Sequence, residues 1–408
     1  MRRRIRPWQG GDIAPLERLE PLPEQVSFSM DAGINRCRVA PIVQTGAAVA
    51  EGEIVAQGES LAMHASVSGV VERADAEQIV IRRGLAPSTV SALKETSCPQ
   101  NAADLARIAR EMGLVGMGGG MFPASVKLGT GWQIHTLVVN AVECEPGIQI
   151  DEALILHDTD TVRSGIDCVT AALAIKRRVL VVKRTAANHI GSFAASCAAD
   201  VLTMPNRYPA GAEKLIVARL DGRMPPAGLL PVQCGYLVLS VASLWAIGRW
   251  QLYREPSILR PLSLVTPSRP TRNLLVPIGT ALSHILNTYG IGYNPEAHLL
   301  VTGGLMMGAR ATPKTPILKG TNAIFVQPIL RRLIRPEEPC LLCGACFDVC
   351  PLNLHPIGMV ERIKSGRRSP ALATQLDECF LCGACSAVCP AEIPLVQYFR
   401  DAKRGLRA

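Results

Sequence analysis

No lysine occurs before Lys94, no apolar stretch follows the basic opening "MRRRIRPWQGG", and the longest hydrophobic run is broken by polar residues. Each absence excludes something. Without an apolar segment behind the arginines, the opening does not read as a secretory signal. The run "LLPVQCGYLVLSVASLWAIG" has the length of a membrane span. Pro231, Gln233, Gly235 and its serines fit a buried strand followed by a helix better than a span. The net charge of +9, from 43 Lys and Arg against 34 Asp and Glu, comes with no nucleic-acid module, so nucleic acid is not expected as a partner. A membrane surface or an acidic partner suits that charge, with the arginines of the first six residues as a tail touching something anionic.

What is present in abundance is cysteine, 14 of 408 residues. Eight fall in a phrase written twice, "CLLCGACFDVCP" and "CFLCGACSAVCP". Each copy is C-x2-C-x2-C-x3-C-P. Structural zinc prefers two ligand pairs parted by a longer loop, and disulfide scaffolds belong to small secreted chains. Three thiolates at intervals of three wrap one face of a cubane, and the fourth, before proline, ligates the neighbouring cluster. The spacing therefore predicts two [4Fe–4S] centres, one on Cys340, Cys343, Cys346 and Cys389, the other on Cys379, Cys382, Cys385 and Cys350. Gly344 and Gly383 suit the tight loops this requires. The other six cysteines (Cys37, Cys98, Cys144, Cys168, Cys197 and Cys234) show no motif spacing and read as reduced thiols, which points to a cytoplasmic setting.

The length predicts two to four domains. Residues 26–83 alternate apolar and polar positions, with glycines every eight to ten residues, as in a small antiparallel barrel or sandwich. "V-x-x-G-x-x-V-x-x-G" followed by "LAMHASVSGVV" resembles biotinyl and lipoyl carriers. The carrier lysine is missing, and His64 sits near its place as a turn or packing residue. From about 100 to 260 buried strands such as "TLVVNAVECEP" alternate with helical stretches, predicting an α/β domain with a largely parallel sheet. Residues 261–330 read as two strands, a helix and more strands, a compact α+β unit, and "RPEEP" links it to the cysteine-rich end.

Two loops of the α/β part carry candidate chemistry. "GLVGMGGGMFPASVKL" places Gly116, Gly118, Gly119 and Gly120 where backbone amides can approach a phosphate or a ring, with a helix to follow and Lys127 as a counter-charge. It is neither a P-loop nor G-x-G-x-x-G. "NAVECEPG" follows a buried strand, so Asn140, Glu143 and Glu145 are expected at the C-terminal edge of the sheet, where open α/β sheets bind ligands. The plainer alternative for Glu143 is that it caps a loop or pairs with Lys127.

With "WQGGDIAP", the glycine loop, "NAVECEP", "RYPAGAEKLI", "DGRMPPAGLLP", "GGLMMG", "KGTNAIFV" and both cysteine motifs in this order, nearly the whole chain resembles the RnfC family. That family supplies the C subunit of the Rnf complex, the ion-translocating NADH:ferredoxin oxidoreductase of bacterial membranes. Its α/β and β-grasp parts are more distantly similar to the flavin subunit of respiratory complex I. A related corrin reductase of microcompartments begins with the glycine loop, whereas here the barrel comes first. The resemblance implies a multidomain α/β and α+β fold. Its parts are an N-terminal β barrel-sandwich over 1–99, an α/β flavin/NAD-binding domain over 100–260, a β-grasp-type SLBB domain over 261–332, and a two-cluster ferredoxin-like helical domain over 333–408.

It also implies FMN in the crevice with NADH stacked on it. Gly116, Gly118, Gly119, Gly120, Phe122 and Lys127 would line the flavin and its phosphate. Asn140, Glu143 and Glu145 would meet the ribityl chain and nicotinamide, the two glutamates being the candidate catalytic residues. Tyr208, Gly211 and Glu213 would come from the next loop. A flavin stands between a hydride donor and one-electron clusters for a chemical reason. The chain departs from the family at Met121, Ala212 and Ser240, where relatives carry glycine, glycine and asparagine, and at Ala124, where they carry threonine. The implied role is a peripheral electron-input subunit on the cytoplasmic face of the inner membrane, partnered by the other membrane and ferredoxin-like subunits. The alternatives are a flavin-free docking subunit of the same complex and a soluble cobalamin-type reductase.

Overall fold

Four apolar runs lie side by side as a parallel sheet in the order Asp200–Met204, Arg177–Lys183, Thr136–Ala141, Tyr236–Ser240. The computed structural model describes residues 13–30, 38–85, 98–129, 131–329, 338–367 and 369–405. The N-terminal arginines, Cys37 and Lys94 lie outside the described residues. Near-continuous hydrophobic strands are stable only with both faces covered. Helices Ala102–Glu111, Ile150–His157, Thr159–Ala172 and Val241–Tyr253 cover the face carrying Leu137, Val139, Leu180 and Val182. Helix Glu213–Asp221 covers the face carrying Val138, Val179 and Val181, through Ile216 and Val217. Helices 159–172 and 241–253 cross at backbone contact: a Cβ on Gly165 would lie 1.9 Å from the Leu244 carbonyl oxygen, and one on Gly248 would lie 1.8 Å from that of Thr161. Only glycine fits there.

From strand 136–141 the chain runs outward to 177–183 and 200–204, then returns to pair strand 236–240 on the other side of 136–141. That reversal is a topological switch point, and it opens a crevice beyond the C-terminal strand ends. Asn140 and Ser240 are register partners at its lip. The stretch 229–248, of membrane-span length, is a 3-10 turn (Pro231–Cys234), this strand and the first part of helix 241–253. Among the described residues no helix is long and apolar enough to cross a membrane.

The N-terminal part folds as two small antiparallel sheets. One has the order Gln25–Ser29, Gln78–Arg83, Gly69–Ala74, Ala48–Val49, the other Ala40–Pro41, Ile54–Gln57, Ala62–His64. They enclose Val26, Phe28, Val55, Leu61, Val71, Ile79 and Ile81. His64 is buried on the last strand, and desolvation lowers its pKa to about 3, so it is a neutral packing residue. The third unit is a six-stranded sheet around helix Leu282–Thr288. Its outer strand Leu16–Arg18 pairs parallel to Arg269–Pro277, and Leu19 is wholly buried in that unit's core. Residues 16–19 thus belong to this sheet's unit, where they pair the edge of strand 269–277 that would otherwise be open.

The C-terminal part is helical. Short helices Ala345–Val349 and Ala384–Ala387 each follow a cysteine loop, and helices Pro356–Lys364, Pro370–Glu378 and Leu395–Gly405 pack around them. Ser369 starts helix 370–378 by accepting from the Leu372 N–H at 3.2 Å, with Pro370 at the first helical position.

Candidate functional site

The glycine loop closes on itself at the C-terminal edge of the parallel sheet. The Gly116 N–H donates to the Phe122 carbonyl at 2.8 Å, and the Met121 N–H donates to the Gly116 carbonyl at 3.2 Å. It is pinned from below by two contacts across the fold. The Ser243 hydroxyl accepts from the Met117 N–H at 3.0 Å, and Arg260 donates to the Met117 and Thr321 carbonyls at 2.6 Å each. Arg260 is completely buried. Burial pulls its pKa down to about 9, while the charge of Asp151 works the other way. Above these anchors Gly118, Gly119 and Gly120 are exposed, and a Cβ on Gly120 would meet nothing within 4 Å. The loop therefore presents bare backbone to open space, a cradle suited to a flat ring or a phosphate.

Met121, the bulkiest departure from the family pattern, adopts φ +45°. Its side chain packs on Gly320, whose own Cβ would lie 2.2 Å from Met121 Cγ, and on the barrel core. Ser240 caps helix 241–253, its hydroxyl accepting from the Ser243 N–H at 3.3 Å. Ala212 has φ −65°, open to any residue.

The acidic loop is tied into its surroundings. Asn140 donates to the Gly211 carbonyl at 3.0 Å and accepts from the Val142 N–H at 3.1 Å, which brings the "YPAGAEK" loop to the strand end. Glu143 is buried at the start of helix 150–157 and accepts from the Asp151 N–H at 2.7 Å and the Glu152 N–H at 3.4 Å. Backbone donors at a helix N-terminus suit a carboxylate. Burial nevertheless pushes its pKa up, with the Asp151 charge adding to the rise and Lys183 opposing it. Lys183 pairs with Glu152 at 2.7 Å. Glu145 reaches the third unit, accepting from the Met306 N–H at 3.0 Å and the Met307 N–H at 3.1 Å. Lys127 pairs not with Glu143 but with Glu213, at 2.6 Å. Tyr208 is buried and turns toward the helical part, where its hydroxyl donates to the Cys382 carbonyl at 2.6 Å.

The two cysteine loops share one backbone form. Leu342 and Gly344 in the first, and Leu381 and Gly383 in the second, have φ of +51°, +72°, +58° and +77°. Cys340, Cys343, Cys346 and Cys389 line one cavity, whereas Cys350, Cys379, Cys382 and Cys385 line another. Each cavity thus receives three cysteines from one motif and the fourth from the other. Among the described residues no group of three or more Cys, His, Asp or Glu stands placed to hold a metal ion. Thiolates that surround a cubane are spread over its corners instead of converging on one point, so the donor set suits a cluster. The first set is outward, with Cys340 and Cys343 exposed; the second is inward, with Cys385 buried.

Several contributors lie beyond sequence reasoning. Arg260 stands alone in the apolar run "ILRPLSLV", a signal that a charge is buried there for a reason. Asn206 and Asn322 have buried side-chain oxygens without partners among the described residues. Asn322 adjoins Gly119, its Nδ2 4.0 Å from where a Cβ would stand. The orphaned Asn322 acceptor beside the cradle is what a ligand's donor would satisfy.

Both of these parts of the chain, the crevice and the cysteine loops, are similar to known proteins. A family model described as the Nuo51 FMN-binding domain matches residues 109–249, and one described as a 4Fe-4S dicluster domain matches residues 339–393. The chain is similar to the C subunit of the ion-translocating oxidoreductase complex of Rhodobacter capsulatus, 31% identical over 94% of this chain and 78% of the relative. It is 29% identical to the C subunit of the proton-translocating ferredoxin:NAD(+) oxidoreductase complex of Clostridium ljungdahlii, over 84% of this chain and 79% of that one. Against the ion-translocating C subunit of Pseudomonas aeruginosa it is 33% identical over 90% of this chain, but it spans only 50% of that longer relative. Among solved structures it shares the fold of a chain of an NAD+-reducing [NiFe]-hydrogenase in the H2-reduced state, with a TM-score of 0.50, 17% identity, and coverage of 78% of this chain and 64% of that one.

Proposed function

The chain belongs to the RnfC family, the C subunits of ion-translocating oxidoreductase complexes, and from that membership we propose that it is the electron-input subunit of an Rnf-type NADH:ferredoxin oxidoreductase complex. FMN and [4Fe–4S] clusters are its cofactors. NADH is its electron donor, and it sits peripherally on the cytoplasmic face of the membrane beside the complex's other subunits. NADH gives up two electrons as a hydride whereas an iron–sulfur centre takes one, so bound flavin supplies the conversion between them.

The observation that carries this proposal is the junction at Tyr208. One residue of the crevice loop holds the backbone of the inward cysteine loop. The same loop is flanked by Met306, whose carbonyl oxygen would lie 3.0 Å from a Cβ on Gly383 and whose N–H is held by Glu145. The crevice and the inward cysteine set are thereby built against each other. In this proposal Gly116, Gly118, Gly119, Gly120 and Phe122 shape the flavin cradle, and Asn140, Gly211 and the Lys127–Glu213 pair form its edge. Glu143 and Glu145 act as positioning residues: one holds the helix that follows the acidic loop, the other holds the Met306 loop. Cys350, Cys379, Cys382 and Cys385 hold the inner cluster. Cys340, Cys343, Cys346 and Cys389 hold the outer one, which faces a partner subunit.

The departures at Met121, Ala212 and Ser240 do not support the flavin-free docking role. Met121 turns onto Gly320, and Ser240 has a structural task as a helix cap. Anaerobic preparation followed by acid release of flavin and iron analysis tests the proposal. About one FMN and about eight iron atoms per chain, with bleaching by NADH, are expected from one flavin site and two cubanes. Iron at that level without flavin would establish the docking role. Bleaching by NADH in a protein that never co-purifies with membrane subunits would establish a soluble reductase.

A further inference from the structure

Away from the crevice, a cavity of about 530 Å³ is lined by two cysteines, Cys98 and Cys168, together with Arg163, Asp160, Asp167 and Gln251. It lies at the far end of helix 241–253 from the glycine loop. Ser243 at the helix start holds Met117, whereas Gln251 and Arg254 at its end reach Cys98. Thirteen residues at 1.5 Å rise separate the two ends by about 20 Å.

The surroundings of the two thiols differ. Cys98 Sγ accepts from Gln251 Nε2 at 3.2 Å and faces Arg254 Nη2 at 3.7 Å. The guanidinium is held in place: it stacks on the Trp250 ring at 4.7 Å and donates to the Trp250 and Gln251 carbonyls at 3.3 and 3.0 Å. The Gln251 bond first, then Arg254, holds the Cys98 pKa below the usual thiol range. Cys168, on helix 159–172, is nine-tenths buried, and burial pushes its pKa up to about 12, with the charge of Cys98 adding to the rise. Gln251 Oε1 is buried without a partner among the described residues, an acceptor for a ligand N–H at the cavity wall.

We propose that Cys98 and Cys168 form a thiol–disulfide exchange pair that reacts in this cavity with small organic disulfides bearing charges of both signs. Arg163 and Asp160, paired with each other at 3.0 Å, and Asp167, paired with Arg178 at 2.8 Å, put charges of both signs on the cavity wall that such a molecule can join. In the first step the Cys98 thiolate attacks one sulfur of R–S–S–R, forming Cys98–S–S–R and releasing R–S⁻. In the second, the Cys168 thiol loses its proton to R–S⁻ and attacks Cys98 Sγ, giving the Cys98–Cys168 disulfide and a second R–S⁻, which takes up a proton from water. Two protein thiols are oxidised and one disulfide is reduced to two thiols. Forming the mixed disulfide removes the Cys98 charge that helps keep Cys168 protonated, so the first step prepares the second.

The test uses the full chain with its clusters in place, kept anaerobic and incubated with glutathione disulfide at neutral pH, then alkylated and mapped by mass. The expected product is a Cys98–Cys168 cross-linked peptide pair, two hydrogens lighter than the reduced pair, with iron content unchanged. Cys168→Ser stops at a glutathione adduct on Cys98, Cys98→Ser leaves Cys168 unmodified, and Gln251→Leu slows adduct formation at least about threefold. A mixed disulfide that persists on Cys98 in the parent chain while Cys168 stays open to alkylation would overturn the pair. So would a Cys98 that reacts no faster than Cys234.

Discussion

The Tyr208 hydroxyl and the Cys382 carbonyl, 174 positions apart, meet in a 2.6 Å hydrogen bond. Burial pushes the phenol pKa up, so the hydroxyl remains a donor throughout the working range of pH. Tyr208→Phe keeps the ring in place and leaves that carbonyl without its partner, at a cost of about 1–3 kcal/mol. The expected outcome is a folded chain with full iron and flavin, slower reduction of the clusters by NADH, and an altered EPR signal from the inner cluster alone. Unchanged cluster reduction in stopped-flow mixing would remove the junction from the electron route.

Cys350→Ala probes the exchange of ligands between motifs. Cys350 lines the cavity of Cys379, Cys382 and Cys385 and not that of its own motif's first three cysteines. The variant should lose the inner cluster, with iron falling from about eight toward about four atoms per chain. EPR that instead shows the outer cluster missing would refute the assignment.

Glu143→Gln separates charge from shape. Because burial raises the Glu143 pKa, the folded chain holds this proton at higher pH than the unfolded chain does. The cost of ionising the group therefore grows as pH climbs above the ordinary carboxylate range. The melting temperature of the variant relative to the parent should rise between about pH 4.5 and about pH 8 and level off above that. NADH–ferricyanide activity of the same variant reports on the crevice. If both measurements match the parent at every pH, Glu143 has neither role.

Gly320→Ala tests where Met121 lies. A Cβ at 320 would stand 2.2 Å from Met121 Cγ, an overpacking expected to cost about 1–3 kcal/mol. Adding Met121→Gly should recover most of that loss in a double-mutant melting cycle, and Met121→Gly alone should retain FMN. Additive effects of the two changes would show that the side chain does not occupy that space.

Much is legible in the sequence because it depends on neighbours in the chain. Three cysteines at intervals of three can wrap one cluster wherever the loop sits. The glycines after them supply left-handed backbone, and interrupted hydrophobicity over 229–248 separates a strand and helix from a membrane span. Other features depend on residues far apart. Nothing in the sequence decides whether Lys127 pairs with Glu143 or with Glu213, and helix 213–221 brings Glu213 to it from 86 positions away. Arg260 reaches Met117 across 143 positions, and Leu16–Arg18 joins a sheet whose other strands begin at 259. Met121 could fill the cradle or leave it open, and Gly320 draws it aside. Residue type and spacing determine which chemistry a loop can support. Which charge neutralises which, and which space stays open, is decided when separate elements pack, because burial selects one partner for each polar group among several that the sequence permits.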